Sequence, residues 1–269
     1  MKALSEYFNS MYFWAIVLLL LCAVASSFAI KAFPTNLIIA IAACSLLDFA
    51  IKGLLLKKGF KFSASAAISG IIIGSIAPST ASVAAIFVAA AVAIASKYLI
   101  RLKGRHIFNP ATLGLLVSLS LFKLGDEWWA ASALFSFAGF AVPVTLLLVI
   151  ANYKADKLKV SIPFLAVTAG LYAATQLFKN PLTASVLFSL FTSLPFYFAF
   201  IMLSEPKTSP NKPREQIAFG VAVAIVVFLL DSRNIAYSFF IALLAGNLAY
   251  ALYRSYGSSF FSKKKQQQS

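Results

Sequence analysis

The chain has 269 residues, of which 61% are apolar and only 12% charged. A soluble domain is normally ~25% charged, which argues against a soluble domain. The net charge of +15 invites a nucleic-acid reading. The basic residues, however, alternate with apolar runs of membrane length instead of forming one patch, which points to a polytopic membrane protein.

Apolar segments lie near 12–30, 37–51, 64–77, 80–96, 110–122, 131–150, 161–178, 182–203, 217–230 and 234–252. The pattern predicts an all-α polytopic membrane protein with about ten transmembrane helices. They form one integral membrane domain over 1–252, followed by a basic, Gln-rich cytoplasmic tail over 253–269. Ten crossings leave both termini on one side. Nineteen of the 23 Lys and Arg residues fall on that side, against Lys31, Lys123, Lys179 and Arg233 on the other. The positive-inside rule then places both termini in the cytoplasm and the protein in the inner (cytoplasmic) membrane. Residues 13–24 could pass as a signal-peptide core. A single early lysine and the many later spans favour a retained anchor.

Cys22 and Cys44 both fall inside predicted helices. With one histidine and no CxxC, the chain alone holds neither a bis-histidine haem nor a four-cysteine cluster. The two thiols read as small buried apolar groups, with half of a cluster shared with a partner as the alternative. Asp48 precedes Lys52 by four residues, the spacing of an ion pair along one helix face. An intramembrane acid is also a candidate for ion coupling. No second acid lies well inside a span, so no relay of carboxylates is visible.

Two segments are short. Residues 64–77 and 110–122 rise only ~20 Å as helices, against a hydrocarbon core of ~30 Å. The first, SASAAISGIIIGSIAPST, reads as a half-helix or re-entrant segment packed inside protein. Its Gly70 and Gly74, four apart, permit close helix approach. Between the fourth and fifth apolar segments, residues 104–114 read GRHIFNPATLG and contain the only histidine. They follow Lys97, Arg101 and Lys103, as a basic cytoplasmic loop entering a membrane helix would. Asn109 can cap that helix, and Pro110 suits its first turn, where no N–H is needed. His106 reads as a hydrogen-bonding scaffold, with a quinone or proton ligand as the alternative. Trp128 and Trp129 follow Asp126 and Glu127 and read first as an interfacial aromatic belt, second as a partner surface.

Ten spans divide into five plus five, and an odd number per half makes the halves inverted. The third span of the second half, 182–203, carries Thr192-Ser193-Leu194-Pro195 at its centre. Pro195 removes a backbone hydrogen bond and invites a break. Matched interruptions in the two halves point to a central site. Residues 204–220 read SEPKTSPNKPREQIAFG, and three prolines stiffen this loop. It is either a rigid cytoplasmic connection or a loop packed beside residues 104–114.

Together these two stretches carry a family resemblance. Residues 104–114 resemble a loop of the RnfD membrane protein of Rnf-type ion-translocating oxidoreductases. The matching loop of the related NqrB protein, from Na+-translocating NADH:quinone reductase (Nqr), is similar. Residues 204–220 resemble the same family's segment of an acidic-Pro pair, Thr/Ser-rich sequence, Pro-Arg and a closing Phe-Gly, with Glu205 where the family usually has aspartate. The resemblance covers roughly 64–250 and implies two inverted five-helix repeats, similar to urea transporters. It implies a membrane subunit of an electron-transport complex that contacts or holds flavin. Such a subunit helps couple electron transfer to Na+ or H+ translocation and is not catalytic alone. Partner subunits would bring the nucleotide and cluster sites.

FMN is the implied cofactor, with Arg105, His106, Asn109, Thr192, Ser193 and Glu205 as candidate contacts. Arg105 suits a headgroup, a loop carboxylate such as Glu205, or a flavin phosphate. In flavin-carrying members the threonine of a Ser-Gly-Ala-Thr motif holds FMN through a phosphoester bond. The ungapped register puts Pro195 at that threonine, and proline has no hydroxyl, which argues against covalent attachment here. Thr192 is the nearest remaining acceptor. Phe191, Phe196, Tyr197 and Phe198 are candidate walls for a noncovalent ring. The alternative is a urea-transporter-like solute or ion transporter, or a cofactor-free membrane scaffold.

Overall fold

The computed structural model describes residues 11–31, 33–57, 59–132, 138–177 and 195–257. The chain is mostly helical. In order come α1 (Met11–Ile30), α2 (Thr35–Ala50, continued by a π-turn over Ile51–Leu55), α3 (Ala64–Ile76) and α4 (Val83–Leu99). A hairpin of β1 (Arg101–Leu102) and β2 (Arg105–His106) precedes α5 (Pro110–Phe122), the short α6 (Trp129–Ser132), α7 (Ala138–Lys154) and α8 (Leu158–Leu177). A π-helical segment over Phe198–Met202 leads to α9 (Pro213–Asp231) and α10 (Ser238–Leu252). The expected apolar segments coincide with these helices, except that most of 182–203 lies outside the described residues. Among the described residues three helices are long and apolar enough to cross a membrane: Thr35–Leu55, Leu158–Gln176 and Pro213–Asp231. Shorter apolar helices include Ala64–Ile76, Val83–Leu99 and Pro110–Phe122. These features are those of a membrane protein.

The chain packs as two compact units. Unit 1 comprises Met1–Lys97 and Pro110–Ala155, and unit 2 comprises Tyr98–Asn109 and Asp156–Ser269. The boundary after Ala155 assigns α7 to unit 1, so packing does not divide the chain five plus five in sequence order. The hairpin region belongs to unit 2 although unit 1 flanks it in sequence.

Unit 1 is built by close backbone approach. A Cβ on Gly70 would lie 2.6 Å from the Ala40 carbonyl oxygen, and one on Gly74 would lie 2.4 Å from Leu37 Cα. Only glycine lets α3 seat on α2 at this distance. Residues Ser69–Ile76 of α3 are all buried, which makes this thirteen-residue helix a half-helix sheathed in protein. Its carbonyl end is wrapped by polar groups. The Trp129 indole N–H donates to the Gly74 carbonyl at 2.8 Å, and the Glu127 N–H donates to the Ile76 carbonyl at 3.0 Å. The Asn36 side-chain amide donates to the Pro78 carbonyl at 2.9 Å. Trp129 is 8% exposed and serves as an internal tie, not as the interfacial belt the sequence suggested. Asp48 pairs with Lys52 at 2.6 Å, as the spacing requires. Nearby, Lys97 is only 6% exposed and donates to the Ser65 carbonyl at 2.8 Å. Cys22 and Cys44 are free and buried in this unit.

In unit 2, a Cβ on Gly220 would meet the Val160 carbonyl oxygen at 2.3 Å, so α9 packs backbone to backbone on α8. The Ser161 hydroxyl donates to the Ala199 carbonyl at 2.8 Å, which ties α8 to the π-helical segment. Phe198 fills the space between Phe164 and Phe239, with ring centroids 5.3 and 5.0 Å away.

Candidate functional site

The hairpin folds from local chemistry. Arg101 pairs with His106 and Leu102 with Arg105, leaving Lys103-Gly104 as a two-residue turn. Both turn residues have positive φ, 49° and 80°, as a type I′ turn requires, and glycine at the second position adopts it without strain. The Ile107 N–H extends the pairing to the Ile100 carbonyl at 3.3 Å. Downstream, Pro110 occupies the first position of α5, where its missing N–H costs nothing.

Asn109 joins the hairpin to the rest of unit 2. It is 2% exposed, and its side-chain amide donates to the Met202 carbonyl at 3.2 Å. Its backbone N–H donates to Asn247 Oδ1 at 3.0 Å. The Asn247 amide in turn donates to the Thr208 carbonyl at 3.4 Å. At the turn, Lys103 Nζ donates to the Ser255 carbonyl at 2.7 Å. Residues 104–109 and 204–212, parts of the two stretches 104–114 and 204–220 singled out in the sequence, therefore meet through one buried polar network, in line with the second reading of the proline-rich loop.

The proline-rich loop is itself wound tight. Ser204 donates to the Phe200 carbonyl at 2.6 Å. The Glu205 carbonyl receives the Ser209 N–H at 3.0 Å and its hydroxyl at 2.7 Å. The Glu205 carboxylate accepts from the Thr208 hydroxyl at 3.0 Å. No ion pair joins Arg105 to Glu205 among the described residues. Lys157, 2% exposed, donates to the Pro210 carbonyl at 2.6 Å and to Asn211 Oδ1 at 2.9 Å. Burial pushes the Lys157 ammonium down to about 8 from its ordinary value, against a smaller upward pull from Asp156. Gln216, 1% exposed, donates to the Asp156 carbonyl at 2.8 Å. At the entrance to α9, Lys212 and Glu215 pair at 3.2 Å, and the bond to Glu215 raises the Lys212 ammonium.

The hairpin and the loop bound a cleft of about 380 Å³, lined by Arg101, Gly104, Arg105, His106, Pro206, Lys207 and Asn211. Arg101, Arg105 and Lys207 are exposed, and His106 is half-buried. The structure thus brings Arg105, His106, Asn109 and Glu205 into one region of unit 2. Thr192, Ser193 and Phe191 lie outside the described residues. Pro195 opens the helical turn before the π-segment, its carbonyl accepting from the Ala199 N–H at 2.9 Å. Phe198 is 1% exposed and committed to core packing, so it walls no open slot. Sequence reasoning missed Asn247, Asn211, Lys157 and Gln216. Asn247 was findable as the one amide within the apolar run of α10. Among the described residues no three His, Cys, Asp or Glu side chains gather as metal ligands. No protein-family model matches the chain.

Proposed function

We propose that this chain is a membrane subunit of an Rnf/Nqr-type electron-transport complex, contacting or holding flavin and helping couple electron transfer to Na+ or H+ translocation. In this reading ten spans form two inverted halves, similar to urea transporters, with both termini in the cytoplasm of the inner membrane. FMN is held noncovalently, with Arg105, His106, Asn109 and Glu205 organising the contact and Thr192 and Ser193 as the hydroxyls nearest the lost motif. One observation carries the reading. Residues 104–109 of the first family-like stretch meet the second stretch within unit 2, through Asn109, Met202, Asn247 and Thr208. A loop kept only to connect two helices needs no such buried anchor.

The chain offers no nucleotide loop or cluster ligands of its own, so partner subunits supply the donor and acceptor. The test is purification of a tagged full-length chain from its native membrane in mild detergent. Co-purifying subunits with flavin and iron–sulfur absorption are the expected result. A chain recovered alone, with the membranes otherwise intact, overturns it. A solute or ion transporter is the second reading, favoured by the sheathed half-helix α3 and by buried Asp48 and Lys97 in unit 1. Uptake by vesicles containing the purified chain alone would support it.

A further inference from the structure

We infer that the cleft between the hairpin and the proline-rich loop is a binding site for a phosphate group, carried by a soluble phosphomonoester or by a lipid headgroup. The inference rests on the cleft's own lining and stands without the electron-transfer reading.

Three cations, Arg101, Arg105 and Lys207, meet at one concavity with His106 and the Asn211 amide, and no carboxylate lines it among the described residues. Topology alone does not ask for this. The positive-inside rule requires only that basic residues stay on one side of the membrane. Here they arrive from two segments about a hundred residues apart in sequence. Glu205 precedes Pro206 in the loop but does not line the cleft, and its carboxylate accepts from the Thr208 hydroxyl at 3.0 Å. Like charges gathered around a cavity repel one another, and a bound dianion offsets that repulsion.

The donors are also arranged. Arg101 uses one N–H on the Gly104 carbonyl at 2.7 Å, which steadies the guanidinium across the turn and leaves other N–H groups for an oxyanion. Lys157 occupies Asn211 Oδ1 at 2.9 Å, so the Asn211 NH2 is the side-chain group left to donate to a ligand. Arg105 follows the I′ turn directly, on a strand fixed at its far end by buried Asn109. At about 380 Å³ the cleft holds a phosphate and part of the group esterified to it.

The experiment is calorimetric titration of the full-length protein with inorganic phosphate, in a neutral detergent and at fixed ionic strength set with chloride. Wild type is expected to bind saturably. Arg105→Gln combined with Lys207→Gln is expected to weaken binding by about tenfold or more. Both side chains are exposed, so the melting temperature should hold. Lys154→Gln, an exposed cation outside the cleft, should bind as wild type does. No saturable heat, or equal weakening by Lys154→Gln, overturns the proposal. Repeating the titration in nanodiscs of phosphatidylcholine with and without phosphatidic acid distinguishes the sources. Loss of the phosphate heat with phosphatidic acid assigns the site to a lipid headgroup, and retention assigns it to a soluble phosphomonoester.

Discussion

Unit 1 and unit 2 bury helices by the same device and differ in what they do with polar groups. In unit 1, Gly70 and Gly74 bring α3 onto α2, and Gly114 sets α5 against α4, with its Cβ position 2.2 Å from the Ala89 carbonyl oxygen. Most polar side chains there satisfy carbonyls at helix ends or within helices, as Trp129, Asn36 and Ser118 do. In unit 2, Gly220 seats α9 on α8 in the same way. In addition, Asn109, Asn247, Lys103 and Lys157 tie the hairpin and the proline-rich loop to helices and to another loop, and the hairpin and proline-rich loop bound a basic cleft. A scaffold needs only the first kind of contact. Fixing loop geometry with buried amides costs desolvation, and the return is a cleft of defined shape.

The largest effect should come from the device the units share. Gly114→Leu forces a side chain into the α4 backbone, and we expect a loss of about 3 kcal/mol, read as a collapse of the folded yield or melting temperature in detergent. Gly104→Ala, at a turn glycine with nothing near its Cβ position, should cost far less, because only its φ of 80° resists the change. Comparable losses at the two sites would break the distinction between packing glycines and turn glycines.

Asn109→Leu should come next. It leaves the Met202 carbonyl without that donor in a buried place, at a cost of about 2 kcal/mol. It should also loosen the hairpin, so that a protease nicks near Gly104 faster than in wild type. Unchanged protection would mean the hairpin is held by other contacts. Ser118→Ala in unit 1 removes a single 2.7 Å bond to the Ala85 carbonyl and should cost about 1 kcal/mol, with no change in hairpin proteolysis.

The smallest effect is a slope with pH. Lys157 has a folded value of about 8, below its unfolded 10.5, so the folded chain sheds this proton first. Between these limits the unfolded state binds more protons, and stability should rise as pH increases from about 8 toward 10.5. Donation by the neutral amine to Pro210 and Asn211 keeps the loop tied as the proton leaves. Lys157→Met should flatten the slope between the same pH limits, and an unchanged slope would assign it elsewhere.

Much of this architecture was legible in the residues. Apolar run length marked the helices, and the Gly70–Gly74 spacing marked a close helix approach without naming α2 as the partner. The Asp48–Lys52 spacing marked the ion pair. The convergence of residues 104–109 with 204–212 was legible only as one of two readings. It depends on Asn247, a single amide more than a hundred residues downstream, and no local pattern encodes such a pairing. Trp129 misled because an indole beside acidic residues fits an interface as well as an internal tie to Gly74. Span counting divides the chain after α5, whereas packing divides it after Ala155, because counting follows the chain and packing follows surfaces.

The most direct test of the electron-transport reading is the visible absorption and fluorescence of detergent-purified protein from flavin-replete cells, taken before and after acid precipitation. We expect a flavin band that moves into the supernatant on denaturation and is diminished in Asn109→Leu protein that still folds. A colourless wild-type protein would contradict the reading. Colour retained in the denatured pellet would contradict the noncovalent assignment and make Thr192 the residue to substitute.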